Sequence, residues 1–377
     1  DSQYHIFAES SDPPLLPATT MDYDVRMGLL TETLDPNNAK TTTDYDIFGR
    51  RWKIYAPGES KLSGHAATAE YDYCFPPTCS QPRVHVKVRK DNGGAATAAY
   101  QEAWYFYDGL GRLIQKQAQA ESGAQIILVN TAYDERGKVK WVSLPYAVTA
   151  SGGTYVAPDW NQPKSFTEYD AIGRVKKVTG ADGTYTETTY DKWLTTVRTP
   201  NGTFGEMKKD FLADAFGRTT RVREYNNDNF TTPYATTTYG YDVSDRLTDT
   251  WDAANNNTHL EYDWLGRKLT MDDPDMGFWA YDYDNNGNLK RQTDAKNQSV
   301  CFNYDALNRV TTKTARTGTD CNAAISYTVT YGYDAFDGST QFGRGRRTSM
   351  SDTASNTSSA WVYDSEGQLK TSGLTIT

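Results

Sequence analysis

Carboxylates are the most abundant ionisable side chains in this 377-residue sequence, with 48 Asp and Glu against 39 Lys and Arg, 4 His and 4 Cys. One string, Asp282-x-Asp284-x-Asn286-Gly287, matches the opening of an EF-hand calcium loop. The twelfth position of that loop is Thr293, where the motif requires a glutamate. We therefore interpret the string as a turn and expect no metal site in it.

The histidines form no recognisable metal or catalytic pattern. None of the four lies at a metal-ligand spacing or beside a nucleophile motif. They are His5, His65, His85 and His259. Most aspartates occupy a turn position of a repeat, so a glycosidase-type carboxylate pair is not predicted. We expect that the chain is not an enzyme and that it binds no cofactor.

The four cysteines fall into two suggestive pairs. Cys74 and Cys79 flank Phe-Pro-Pro-Thr, a tight loop that a disulfide could close. Cys301 and Cys321 lie 20 residues apart, close to one repeat period, so they could face each other on neighbouring strands. Two disulfides would imply an oxidising compartment, and free thiols are the open alternative. A zinc site is not favoured, because the spacings do not match.

Composition narrows the class of protein. Only 37% of the residues are hydrophobic, yet 13% are aromatic, including 27 Tyr. The aromatic content argues against disorder. The low hydrophobic content suits thin β-sheets that bury one face and expose the other to solvent. The net charge of -9 disfavours a nucleic-acid partner, which requires a basic face. No apolar run approaches the roughly 20 residues that span a bilayer, so we expect no membrane insertion in this segment. No secretory signal peptide is recognisable either.

Internal repeats carry the main signal. A Tyr-Asp pair, a two-residue spacer and then Gly, Asn or Asp recur along the chain, with steps of 21 residues from Tyr241 to Tyr262, Tyr283 and Tyr304. The clearest copies are Tyr45-Asp46 with Gly49, Tyr107-Asp108 with Gly111, Tyr169-Asp170 with Gly173, Tyr262-Asp263 with Gly266, Tyr283-Asp284 with Gly287, and Tyr304-Asp305 with Asn308. Longer steps place insertions between repeats, which is typical of a repeat array.

Each repeat predicts a β-hairpin. The aspartate can accept hydrogen bonds from backbone amides ahead of it, and Gly, Asn or Asp three residues later tolerates the left-handed conformation that closes the turn. A second turn, such as Asp182-Gly183, lies in the middle of the repeat, so each repeat holds two strands and two turns. Tyrosine at a fixed strand end predicts a row of stacked rings along the sheet. We therefore predict an all-β fold, a repeat array of long antiparallel hairpins.

These residues closely resemble the YD-repeat family, also called Rhs repeats, in the Tyr-Asp-x-x-Gly-Arg signature and the step near 21 residues. The resemblance covers residues 23–377, and residues 1–22, with Pro13, Pro14 and Pro17, are interpreted as a lead-in segment. We expect the array to be a fragment of a longer chain. The family occurs in bacterial Rhs and polymorphic toxins, in the cocoon-forming subunits of insecticidal toxin complexes, and in teneurins.

The resemblance implies hairpins laid side by side in a curved or spiralling sheet that forms a hollow shell, which in toxin members encloses a C-terminal effector. Those members free the effector with a core module that carries a pair of Asp-Pro-x-Gly sites. Here Asp273-Pro274-Asp275-Met276-Gly277 holds something like half of that signature, and Asp-Pro-x-Gly itself does not occur. No protease residue is therefore assigned, and Asp273 is expected to cap an inter-repeat turn.

The leading hypothesis is a structural scaffold of a secreted or cell-surface bacterial protein. It would form a section of a YD-repeat shell that encloses or presents another part of the same polypeptide, such as a toxin effector. The alternative is a cell-surface adhesion module that binds a glycan or a partner protein, since aromatic faces suit the C–H surfaces of sugars. An enclosed enzyme fragment ranks last, because it would require a cluster of titratable groups in a pocket.

Overall fold

A computed structural model describes residues 7–59, 61–90, 99–120, 125–200, 205–226, 230–364 and 367–376. In these ranges the chain forms β-strands and one 3₁₀ turn, Lys61–Ser63, and no α-helix. None of the described residues lies in a helix long and apolar enough to cross a bilayer. The all-β prediction is confirmed.

The strands are β1 (Ser10–Ser11), β2 (Thr19–Asp24), β3 (Leu29–Leu34), β4 (Lys40–Tyr45), β5 (Arg51–Tyr55), β6 (Ala69–Cys74), β7 (Arg83–Arg89), β8 (Tyr100–Tyr107), β9 (Leu113–Gln119), β10 (Ile126–Tyr133), β11 (Val139–Ser143), β12 (Tyr146–Val148), β13 (Lys164–Tyr169), β14 (Val175–Thr179), β15 (Tyr185–Asp191), β16 (Leu194–Pro200), β17 (Glu206–Ala213), β18 (Thr219–Tyr225), β19 (Ala235–Tyr241), β20 (Leu247–Trp251), β21 (Asn257–Tyr262), β22 (Lys268–Asp273), β23 (Gly277–Tyr283), β24 (Leu289–Thr293), β25 (Ser299–Tyr304), β26 (Val310–Arg316), β27 (Ile325–Tyr333), β28 (Arg347–Asp352), β29 (Thr357–Tyr363) and β30 (Leu369–Ile376).

Neighbouring strands in sequence are neighbours in the sheet, and the pairing is antiparallel. Consecutive pairing runs from β1 to β6, from β8 to β11, from β13 to β22 and from β23 to β30. The short β12 departs from this order, because it pairs with β10 while β11 pairs with β13. β2 continues across residue 22, where the sequence predicts that the lead-in segment ends.

The chain divides into two compact units. Unit 1 comprises Asp1–Asp72, Val86–Glu102 and Trp279–Thr377, and unit 2 comprises Tyr73–His85 and Ala103–Phe278. Most strand residues in both units are neither fully buried nor fully exposed. This pattern suits a sheet that buries few large side chains.

Unit 1 contains a buried ion pair beside β6. The side chains of Glu59 and Arg89 are 3% and 1% exposed, and they bond to each other while Thr68 donates its hydroxyl to Glu59. Arg89 also donates to the carbonyl oxygen of Ala66 at 2.8 Å. A buried ion pair persists only when such additional hydrogen bonds satisfy its atoms.

Unit 2 contains a cluster of buried apolar side chains, formed by Trp104, Phe106, Ile126 and Leu128 on β8 and β10. A loop that follows β12 folds over this cluster, and its Tyr155 ring packs edge-on against Phe106 with centroids 5.8 Å apart. The insertion between repeats therefore completes a small core instead of extending into solvent.

Two buried glutamines hold that loop in place. Gln115 donates to the carbonyl oxygen of Val156 at 2.7 Å and accepts from its N–H at 3.1 Å. Gln117 donates to the carbonyl oxygen of Thr154 at 2.7 Å and accepts from the N–H of Gly153 at 3.0 Å. Both side chains are fully buried. Their amide groups therefore provide the backbone of the loop with the hydrogen bonds that a neighbouring β-strand would otherwise provide.

Gly152 in this loop lies directly against the Trp104 ring, and a Cβ added at this position would overlap the ring. We expect Gly152→Ala to destabilise the protein by about 1–3 kcal/mol through overpacking. The measurement is the urea midpoint and the thermal midpoint of the variant against the parent chain.

Gly109→Ala is the matched control, because a Cβ at Gly109 meets nothing within 4 Å and its φ is not positive. Equal midpoints for the two variants would contradict the close packing of the loop on Trp104.

Candidate functional site

The repeated turn is built around one carboxylate, as the turn that follows β4 illustrates. The N–H of Asp46 donates to the carbonyl oxygen of Arg50 at 2.9 Å, and the N–H of Gly49 donates to that of Asp46 at 3.0 Å. Oδ1 of Asp46 accepts from the N–H groups of Phe48 and Arg50 at 2.9 and 3.0 Å. Oδ2 accepts from Nε of Arg50 at 2.7 Å. Gly49 has a φ of 77°, in the left-handed region that glycine adopts without strain.

This arrangement, which we call the tip, recurs at the other predicted turns. An Arg Nε lies 2.6–2.7 Å from the Asp Oδ2 in the pairs Asp108–Arg112, Asp170–Arg174, Asp214–Arg218, Asp242–Arg246, Asp263–Arg267 and Asp305–Arg309. At Asp284 the amide of Asn288 takes the place of arginine, with a distance of 3.0 Å. The left-handed position is Gly111, Gly173, Gly217, Gly266 or Gly287 in five tips and Asp245 or Asn308 in two others.

The repeat tyrosines join one hairpin to the next. The Tyr262 hydroxyl donates to the carbonyl oxygen of Leu247 at 2.8 Å, while the guanidinium of Arg246 lies 5.3 Å from the centre of its ring. The same pair of contacts occurs at Tyr133, Tyr190, Tyr241, Tyr333 and Tyr363, with guanidinium-to-ring distances of 4.0–5.6 Å. Tyr45, Tyr169 and Tyr304 make the hydroxyl contact, at 2.7–2.8 Å.

The predicted row of stacked tyrosine rings is therefore wrong at these junctions. Adjacent hairpins place an arginine of one repeat over the tyrosine of the next, so cation and ring alternate. The physical reason is that the tip carboxylate holds the arginine at the end of its strand. The arginine therefore covers the tyrosine ring of the next hairpin, and a tyrosine of the first hairpin does not. A cation over an aromatic face is attracted by the ring quadrupole.

The remaining two repeat tyrosines lie at the ends of β8 and β23. The N–H of Tyr107 donates to the carbonyl oxygen of Pro82 at 2.8 Å. Tyr283 pairs with Leu289 across a β-bulge, and such a bulge also precedes the tyrosine in the other described tips. The bulge follows from the extra residue that a left-handed position places in one strand.

Arg309 bonds two carboxylates and covers one ring. Its Nε bonds Asp305 at 2.7 Å, and its two terminal nitrogens bond both oxygens of Asp334 at 2.9 and 2.6 Å. Its guanidinium also lies 4.3 Å from the centre of the Tyr333 ring, and its side chain is 18% exposed. The hydrogen bonds that Arg309 donates to Asp334 are the largest cause of its raised pKa, and burial acts in the opposite direction.

The tip carboxylates have pKa values below the ordinary aspartate value of 3.8. For Asp108 and Asp242 the largest cause is the hydrogen bond from the backbone N–H of the arginine four residues later. At Asp263 the largest single effect is burial, which raises the pKa, but the hydrogen bonds and charge of Arg267 together outweigh it. These carboxylates are therefore ionised at neutral pH.

Both pairs of cysteines are joined. The Cys74–Cys79 disulfide closes the Phe-Pro-Pro-Thr loop, with Cα atoms 6.0 Å apart. The Cys301–Cys321 disulfide, with Cα atoms 5.8 Å apart, ties the loop after β26 to β25. Arg316 donates to the carbonyl oxygen of Ala323 in the same loop at 2.9 Å.

The other residues considered for chemistry are scattered. His259 bonds Asp249 at 2.8 Å and His85 stacks on Trp104, with ring centres 4.7 Å apart. His5 lies outside the described residues. No group of three or more His, Cys, Asp or Glu side chains placed to hold a metal ion occurs in the described ranges.

Asp273 and Asp284 both serve turns. Asp273 accepts from the N–H groups of Asp275 and Met276 at 3.0 and 2.9 Å and from the Thr258 hydroxyl at 2.8 Å. Asp284 is the carboxylate of a tip. The carboxylate oxygens of both aspartates accept hydrogen bonds from donors in the same turn, and Asp273 also accepts one from Thr258 on the neighbouring strand.

Sequence reasoning missed a contact that joins residues 307 positions apart in unit 1. Asn37 donates its side-chain amide to the carbonyl oxygen of Arg344 at 3.1 Å and accepts from the Arg344 N–H at 2.8 Å. The Arg344 guanidinium donates to the carbonyl oxygen of Pro36 at 2.7 Å. No local pattern in the sequence indicates this contact.

Regular hairpins with a tip carboxylate and tyrosine junctions define the chain as a hairpin-repeat protein of the all-β class. Residues 283–320 match the family described as RHS Repeat, and residues 80–199 match the family described as Domain of unknown function (DUF6443). The match over residues 283–320 supports the resemblance of these hairpins to YD, or Rhs, repeats. No curated protein sequence gives a significant match.

Solved structures match most of the fold. The crystal structure of TcdB2-TccC3 matches with a TM-score of 0.66 and 16% identity, covering 95% of this chain and 24% of the other. A structure of the Photorhabdus luminescens Tc holotoxin pore, with a substitution in TccC3, matches with a TM-score of 0.66 and 14% identity, covering 95% and 26%. These identities show the fold alone, and the chain spans about a quarter of the length of the chains it matches.

Replacing Arg309 should weaken the repeat array. We expect Arg309→Lys to lower the free energy of unfolding by about 2 kcal/mol, because an ammonium group cannot reproduce the forked bonds to Asp305 and Asp334. The measurement is chemical denaturation followed by tryptophan fluorescence. Arg26→Lys is the control, since the Arg26 side chain is 82% exposed and pairs with Asp24 two residues earlier, so no measurable change is expected. A similar loss in both variants would contradict the role assigned to Arg309.

Stability should depend on pH through the tip carboxylates. Their folded pKa values lie below the unfolded value, so the stability they contribute is present above about pH 4 and is lost as the pH falls through the folded values. We expect a nearly constant thermal midpoint between about pH 7 and about pH 5 and a steep fall below about pH 4. Asp108→Asn combined with Asp242→Asn should make the acid dependence shallower. A main loss of stability near pH 6 would instead indicate a histidine.

Proposed function

We propose that this chain is a structural wall segment of a YD-repeat shell, which encloses or presents another part of the same large secreted or surface polypeptide. The observation that carries the proposal is the recurring tip and junction, in which a repeat tyrosine bonds a backbone carbonyl of the preceding hairpin. The fold likeness to TcdB2-TccC3 over 95% of the chain supports it. One of the matching structures is a Tc holotoxin pore, so an enclosed toxin effector is the cargo we propose.

The work of such a wall is mechanical and requires no catalytic group. The tip aspartates are the most regularly repeated titratable residues. Each accepts hydrogen bonds from two backbone N–H groups and from one side chain, as at Asp46 and Asp214. Their lowered pKa values make them weak bases at neutral pH. We accordingly propose that the chain is not an enzyme.

The experiment uses the polypeptide from its native source. We expect intact mass spectrometry to give a mass far above 42.2 kDa, with additional sequence that supplies the enclosed part. Limited proteolysis should leave that part intact while the repeats are folded and should degrade it once acid or urea unfolds them. The control is the enclosed part produced without the repeats, and we expect the protease to degrade it rapidly.

A mass of 42.2 kDa would contradict the proposal, and so would equal digestion of the segment inside and outside the intact polypeptide. In either case the adhesion module becomes the better hypothesis.

One feature favours the adhesion module: a cavity of about 180 Å³ in unit 1 is lined by Trp279 and Tyr327 together with Gln292, Asp294 and Arg316. Aromatic rings beside amide and charged groups suit a glycan, and a glycan array would test this directly.

A further inference from the structure

Unit 1 contains a second cavity beside the one that Trp279 and Tyr327 line. It has a volume of about 290 Å³, and its lining residues are Phe302, Val310, Lys313, Tyr331, Tyr333 and Arg347. The cavity of about 180 Å³ shares none of these residues. We call the smaller one the first cavity and the larger one the second cavity.

The register of β25, β26 and β27 places the two cavities on one face of the sheet. Ala315 and Tyr327 pair across β26 and β27 in the first cavity. Phe302 and Lys313 pair across β25 and β26 in the second, two residues along β26 from Ala315. Side chains two residues apart on a strand lie on the same face. From Tyr327 to Tyr333 along β27 the cavities therefore form one groove, about 20 Å long.

The second cavity carries two positive charges, and no carboxylate is among its lining residues. Neither Lys313 nor Arg347 forms an ion pair with a carboxylate of the described residues. The Arg347 guanidinium lies 5.7 Å from the centre of the Tyr331 ring and 4.6 Å from that of the Trp361 ring. Aromatic rings position this arginine, whereas a carboxylate positions the arginines of the tips. Its hydrogen-bond donors are therefore available to an anion.

The first cavity offers different chemistry. Amide and hydroxyl groups line it beside its two aromatic rings, at Gln292, Gln298 and Ser326. Its charged lining residues, Asp294 and Arg316, are opposite in sign. Amides and hydroxyls bond the hydroxyl groups of a sugar, and aromatic faces suit its C–H surfaces. The first cavity thus suits a neutral sugar ring, and the second suits a ring that carries an acidic group.

The strand pairing and the charges of the groove argue against other extended anions. β24 to β28 pair consecutively, so both edges of β25, β26 and β27 are occupied and a peptide cannot add to them as a strand. A nucleic acid carries a phosphate at every nucleotide, and a strand that fills the groove would pass the Asp294 carboxylate. An oligosaccharide can carry acidic groups on only some of its rings.

We propose that the groove binds an extended oligosaccharide in which acidic and neutral sugar rings alternate. Lys313 and Arg347 bind the carboxylate or sulfate of one ring, which packs against Phe302 and Tyr331, and the first cavity holds a neutral ring of the same chain. This binding does not depend on the enclosure of a cargo. Its absence would leave protease protection of the native polypeptide unchanged, so the two proposals fail separately.

The test is isothermal titration calorimetry of the 377-residue chain with two acidic probes, a hyaluronan hexasaccharide and a chondroitin sulfate hexasaccharide. We expect at least one of them to bind about tenfold more tightly than chitohexaose, a neutral chain of the same number of rings, because charge-assisted hydrogen bonds are lost with the neutral probe. The hyaluronan disaccharide fills only the second cavity and should bind more weakly than the hexasaccharide.

The variant K313Q/R347Q should weaken binding of the acidic hexasaccharide about tenfold. The matched control, K176Q/K296Q, removes the same charge from two exposed lysines that line neither cavity and should bind like the parent. Tyr327→Leu covers the case in which the double variant folds poorly. It keeps both cations and should weaken binding of the hexasaccharide without changing that of the disaccharide.

Failure of both acidic probes to bind the parent chain would overturn the proposal, and so would equal affinity for chitohexaose. An equal loss in K313Q/R347Q and K176Q/K296Q would show that the attraction is not located in the groove. A disaccharide that binds as tightly as the hexasaccharide would contradict the extended ligand. Tighter binding of a thymidine hexanucleotide than of either acidic probe would indicate a nucleic-acid site and would also overturn the proposal.

Discussion

The hydrogen bonds of the tip aspartate are the constraint on which the rest of the structure depends. One oxygen accepts two backbone N–H groups and fixes the turn, and the other holds the arginine four residues later, as Asp242 holds Arg246. The arginine, once held, covers the tyrosine ring of the next hairpin, as Arg246 covers Tyr262. One carboxylate therefore couples the folding of a hairpin to its attachment to the next.

This coupling explains how a chain with only 37% hydrophobic residues builds so many strands. At six repeat tyrosines the junction combines an arginine over the ring with a hydroxyl bonded to a backbone carbonyl, and such a junction needs little apolar volume. Where arginine is absent, an amide replaces it: Asn288 bonds Asp284 and also Oδ1 of Asn308 in the next tip at 2.8 Å. The link between neighbouring hairpins is thus kept although its chemistry changes.

The local part of the structure could be predicted from the sequence, and the distant part could not. The spacing of Tyr, Asp and Gly predicts the hairpins because their hydrogen bonds lie within five residues of one another. The alternation of Arg174 with Tyr190 could not be predicted, because the position of a long side chain depends on the neighbouring hairpin. The buried amides of Gln115 and Gln117 look like exposed strand residues in sequence, since only the loop that covers them makes them internal.

The same carboxylates that make the array cohesive are poorly suited to catalysis. A general base needs a pKa near the working pH and a free oxygen directed at a substrate. The tip aspartates have lowered pKa values, and their oxygens are directed at the donors of their own turn, as at Asp108. The aspartates of the tips are therefore poor bases, and this is the physical basis for proposing a mechanical role.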